Sequence, residues 1–131
     1  MALIATTTVE SENGYAQRIE SGGHALTADE PAEGGGTDTG PAPYGLLLAA
    51  LGACTSITLR MYAERKGWAL GRIHVVLRLS KTHDGGDQIE RDVSFGAPLS
   101  EEQRARIADI VEKTPVTKTI KAGAPIRTRL L

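Results

Sequence analysis

Three rhythms of apolar and polar residues run along the chain, and each predicts a different element. From Ile73 the alternation is strict: Ile73, Val75, Leu77 and Leu79 fall on one side, with His74, Val76, Arg78 and Ser80 on the other. A period of two is that of a half-buried strand. Residues 82–87, Thr-His-Asp-Gly-Gly-Asp, supply a hairpin turn, where His83 and Asp84 are expected to be solvated. Ile89, Arg91, Val93 and Phe95 then form one face of the return strand, with Arg91 the odd member. Weaker alternation near the start predicts three short antiparallel strands: Leu3 to Val9, Tyr15 to Ile19 after the Asn13-Gly14 turn, and the "HALTADEP" segment after Ser21-Gly22-Gly23. Asp29 and Glu30, at the end of the third, read as solvated charges.

Between these regions lies a segment with almost no polar face. Pro43 suits a first helical turn, because its missing N–H would find no partner there, and Gly67 suits a stop after Lys66. Steps of three and four from Cys54 reach Leu47, Ala50, Leu51, Ile57, Thr58 and Met61, which predicts an apolar stripe with the thiol pointing inward. Leu46, Ala49 and Ala53 occupy the opposite side, so the first half of the helix requires cover from both directions, and small Gly52 and Ala53 would admit a close backbone. Ahead of it, residues 31–42 collect three consecutive glycines and two prolines and read as an internal loop. After the hairpin, Ser100 followed by Gln103 is a capping-box pattern, and the helix it opens carries Ile107, Ile110 and Val111. Thr114-Pro115 reads as the N-cap and first-turn proline of a short helical turn through Ile120, and Ile126 to Leu130 as a brief closing strand. The fold class expected is α+β.

Composition narrows the function. A length of 131 residues suits one domain over residues 1–131, burying about two-thirds of its unfolded surface. Fifteen basic against sixteen acidic side chains leave no cationic surplus for nucleic acid or anionic lipid. The longest uninterrupted apolar run, Leu46 to Leu51, is far below the roughly 18 residues of a membrane span, and the start lacks a signal-peptide pattern. A cytoplasmic protein acting on a small molecule or another protein is expected. One cysteine and three scattered histidines offer no metal-ligand spacing, and the glycine run lacks the residues of a phosphate loop, so no metal and no cofactor are expected.

Cys54 is left as the candidate for chemistry. A lone cysteine on an apolar helix is ordinarily a small hydrophobe, and reactivity requires a thiolate. If the helix starts at Pro43, the thiol lies about 16 Å from its N-terminus, beyond the reach of the dipole. Along its own stripe no cation precedes Arg65. Activation must come from across the fold or from a second subunit.

The stretches "TGPAPYGLLLAALGACTSITLRMYAERKGW" and "LSEEQRARIADIVEKTPVTKTI" resemble the OsmC/Ohr family, named for osmotic induction and organic hydroperoxide resistance. The resemblance implies an α+β fold with a long buried central helix, an intertwined homodimer and active sites at the subunit interface. It also implies that Cys54 matches a peroxidatic cysteine, which takes the terminal oxygen of an organic hydroperoxide and is resolved by a second cysteine. Three positions depart from that pattern. Thr114 occupies the resolving position. The family's acidic residue ahead of the helix corresponds to Tyr44 or Gly45. The arginine that pairs with the thiolate belongs near Ser11 to Gly14, and Arg18 is close to that position without matching it. His24 is a further candidate neighbour of the thiol, on a partner strand expected to cross the helix.

Three functions follow from the resemblance and its departures. The first is a one-cysteine peroxidase recycled by an external thiol. The second is an inactive relative that binds a small apolar ligand at the dimer interface. The third is a structural or regulatory partner protein.

Overall fold

A computed structural model describes all 131 residues, which form two compact units, Met1–Leu47 and Leu48–Leu131. In the first, β1 (Thr7–Glu10), β2 (Gln17–Ser21) and β3 (His24–Ala28) make an antiparallel sheet in that order. The register runs Val9 to Ile19 to Leu26, and the two-residue Gly22-Gly23 turn sets Ser21 opposite His24. All three strands are shorter than, or displaced from, the expected segments, because only the paired residues make a ladder.

The loop that follows is built around one side chain. Asp29, expected at the surface, is 2% exposed. Its carboxylate accepts from the hydroxyl and N–H of both Thr37 and Thr39, and from the Glu30 N–H. The Thr37 and then the Thr39 hydroxyl, with the backbone N–H groups, hold this carboxyl well below the usual range against the opposing effect of burial. The Asp29 N–H in turn donates to the Pro41 carbonyl at 3.1 Å. Residues 31–42 are thus an anchored loop, with a single 3-10 turn at Ala32–Gly34.

Helix α1 spans Pro43–Lys66, with the expected bounds. It stops where Gly67 takes φ +69°, the Gly67 N–H bonding Glu64 and the Trp68 N–H bonding Ala63, a left-handed close that satisfies two terminal carbonyls. The expected stripe is corrected. The buried line is Leu51, Thr55, Leu59 and Ala63, whereas Ile57 is 54% and Met61 57% exposed. A segment apolar nearly all round carries no period to say which line faces the core, so packing chooses. Cys54 sits beside that line, half-buried rather than fully inward. At Gly52 an added Cβ would lie 2.9 Å from the Leu77 side chain, so the close approach is to the sheet, while Ala53 is exposed. By length and composition α1 could cross a membrane. The expectation that no segment could rested on unbroken apolar runs, which Gly52 and then Thr55, Ser56 and Thr58 interrupt without much lowering hydropathy.

Strands β4 (Ile73–Lys81) and β5 (Asp87–Phe95) pair antiparallel, Leu77 opposite Arg91 and Val75 opposite Val93, with the inner and outer faces expected from the alternation. Helix α2 (Glu101–Val111) opens with the full capping box between Ser100 and Gln103. Leu59, Ala63, Leu70 and Ile107 form the core of this unit, walled by Trp68, Ile73, Val93, Phe95 and Val111. Helix α3 spans Pro115–Ala122. Ile126 to Leu130 form no strand and stay exposed, which corrects the last expectation: alternation provides a face, but a strand also needs an edge to pair with.

Candidate functional site around Cys54

Pro115 at the first position of α3 has no N–H to give, so the first donor of that helix end belongs to Val116. In an ordinary cap the preceding threonine hydroxyl would engage a backbone N–H of the first turn. Here Thr114 takes the extended conformation of an N-cap, but its hydroxyl bonds the Thr117 hydroxyl at 2.6 Å and no backbone donor. The expected capping role is therefore corrected. The released Val116 N–H points at Cys54 and donates to its Sγ at 3.5 Å. The partner from across the fold that α1 could not provide for its own thiol is the positive end of α3.

Arg91 is hydrogen-bonded to α3 and to α1 alike. Its place on the inner face of β5 drives a guanidinium into an apolar layer, where an unpaired charge would be prohibitive. The side chain is only 11% exposed. Nη1 donates to the Thr55 and Thr117 hydroxyls, both at 2.9 Å, and Nη2 donates to the Val111 carbonyl at 2.9 Å. Glu112 lies 3.6 Å from Nη2. Its carboxyl is pulled below the usual range, first by its hydrogen bond with Lys121 and further by the charges of Lys121 and Arg91. The Thr55 hydroxyl in turn donates a hydrogen bond to the Leu51 carbonyl at 2.7 Å. Thr55, Thr114 and Thr117 are all buried, and every buried side-chain polar atom has a partner. Three elements distant in sequence, α1, β5 and the α2–α3 turn, are thereby tied together one residue from the thiol.

The structure brings Cys54 and the turn that starts at Thr114 together. The other two candidates belong to the amino-terminal unit: Arg18 on β2 is paired with Glu10 at 2.6 Å, and His24 opens β3 as an exposed residue. Sequence reasoning passed over Val116, Thr55 and Thr117. The available signal was Arg91, since a charge at an inward-facing strand position demands buried acceptors, and "TPVT" and "CT" each place a threonine where one is needed.

The family model described as OsmC-like protein matches residues 35–129. Among solved structures, the OsmC-like protein from Mycoplasma pneumoniae is 22% identical, with 92% of this chain and 89% of that one aligned at a TM-score of 0.79. The organic hydroperoxide resistance protein OhrB of Bacillus subtilis is 25% identical over 91% of each chain, with a TM-score of 0.62. An organic hydroperoxide resistance protein OsmC from Legionella pneumophila is 20% identical over 92% and 91%, at 0.65. No curated protein matches the sequence. With the α+β fold of those structures and a family match covering most of its length, this chain belongs to the OsmC-like protein family.

Proposed function

We propose that the protein reduces organic hydroperoxides with Cys54 as its single reacting thiol. The observation that carries this reading is the Val116 N–H directed at Sγ from the first turn of α3. A donor on a helix N-terminus stabilises negative charge on sulfur, the form that attacks peroxide oxygen. In the reaction, the thiolate takes the terminal oxygen of ROOH and the leaving alkoxide gains a proton, giving Cys54 sulfenic acid and ROH. Thr114 offers no second sulfur, so an external thiol condenses with the sulfenic acid, releasing water, and a second equivalent frees Cys54 as the external disulfide departs. The hydroperoxide resistance proteins among the structural relatives support the substrate class.

The same reading keeps a homodimer in the cytoplasm as the working form. The support is the exposed apolar side of α1, where Ala49, Ala50, Ala53, Ile57 and Met61 need a cover. Arg18 and His24 are then polar neighbours of the thiol contributed by the second copy. The test is consumption of cumene hydroperoxide in the presence of dithiothreitol. The native protein should turn over and Cys54→Ser should not; equal rates for the two would end the peroxidase reading.

The exposed apolar face together with the missing resolver also favours a second reading, an interface pocket for a small apolar ligand. Native mass spectrometry of the Cys54→Ser protein should then find a retained apolar molecule on the dimer, and a ligand-free dimer that binds none when offered would discard it.

A further inference from the structure

Arg91 has no direct bond to sulfur, yet each of its hydrogen bonds ends on a group that places the donor of that sulfur. Thr55 adjoins Cys54 on α1, Thr117 follows Val116 on α3, and the Val111 carbonyl ends α2 just before the turn into α3. The guanidinium is therefore bonded both to the helix that carries the thiol and to the helix that faces it. Its planar fork suits such a joint, since a single Nη1 spans two hydroxyls on different helices while Nη2 reaches a carbonyl on a third segment. A lysine would keep the charge and lose the geometry.

We infer that Arg91 is a positioning residue for Cys54, acting through Thr55 and Thr117 to hold the Val116 N–H against Sγ. This rests on the reading of Cys54 as the reacting group, but its test needs no peroxide. An outward shift of α3 would lengthen the 3.5 Å contact and weaken it. The pivot would be lost with either hydroxyl. Thr117 is the more sensitive, because its oxygen accepts from Arg91 and is also shared with Thr114.

The experiment compares alkylation of Cys54 by iodoacetamide at fixed neutral pH in the native protein and in Arg91→Lys, Thr117→Val and Thr117→Ser. It also follows the Val116 amide proton by NMR. Arg91→Lys and Thr117→Val should react about tenfold more slowly and move the Val116 resonance, whereas Thr117→Ser, which keeps the hydroxyl, should stay near native. A purely structural role predicts the opposite sign, because loosening the packing exposes a half-buried sulfur and speeds alkylation. An unchanged or faster rate in folded Thr117→Val overturns the inference, and that variant decides the matter alone if Arg91→Lys does not fold. Native protein that fails to consume cumene hydroperoxide would sink the peroxidase reading while leaving the alkylation comparison intact.

Discussion

Asp29 and Arg91 are two shielded charges answered mainly by threonines, and they organise their surroundings at different ranges. Asp29 gathers donors from Glu30, Thr37 and Thr39, all within ten residues, and shapes one loop. Arg91 collects acceptors 20, 26 and 36 residues away and locks three elements. A carboxylate that accepts from nearby N–H and hydroxyl groups folds its own neighbourhood, as an Asx-type turn does on a smaller scale. A guanidinium donating in several directions from a strand links whatever packs on that strand. The first makes a local feature and the second makes a tertiary one, so breaking them should damage different things.

The largest effect is expected at Arg91. Arg91→Ala removes three hydrogen bonds from a charged donor and the packing of its stem, and should cost about 3 kcal/mol in urea unfolding. A loss below about 1 kcal/mol would mean that the threonines rearrange to satisfy one another, and the contrast with Asp29 would disappear.

At Asp29 the damage should stay local. Asp29→Asn turns donors toward donors, so residues 31–42 should be cut faster by a nonspecific protease while the Leu59 core keeps its hydrogen-exchange protection. The pH dependence has a definite sign. A carboxyl whose native pKa is lowered adds stability that is fully present above its unfolded value, near pH 4, and is lost as pH falls from there toward the native value. Exchange protection of the Thr37 and Thr39 amides should therefore hold at pH 5 and weaken on further acidification in the native protein. A loop equally protected at all acidic pH values would assign its order to the backbone instead of the carboxylate.

The smallest effect sharpens the local end of the comparison. Ser100→Ala breaks the capping box of α2, a device contained within four residues, and should cost about 1 kcal/mol in chemical denaturation. A much larger loss would show that α2 docking depends on its first turn, which would make even this short-range motif tertiary in consequence.

The same division decides what could be read in advance. The bounds of α1, the two faces of the β4–β5 hairpin and the capping box of α2 were legible because each is set by residues close in sequence: Pro43 and Gly67, an alternation of nine residues, Ser100 and Gln103. The line of α1 that faces the core was not, since Leu51 and Leu47 are equally apolar and only the fold makes one buried and leaves the other exposed. The end of the chain erred in the other direction, where a strand-like run found no edge.

At the candidate site, Cys54 and Thr114 could be named from the family motifs, and Arg91 could be noticed as out of place. Nothing in the spacing of 54, 91 and 116 tells that they meet, since bonds of 20 to 62 residues in separation are chosen by how helices and strands pack. The sequence by itself determined the long helix, the β4–β5 hairpin, the capped start of α2 and the single cysteine, because local sterics and composition suffice for these. Only the tertiary structure decided that the thiol meets a helix N-terminus, because that depends on a buried guanidinium finding all its acceptors at once.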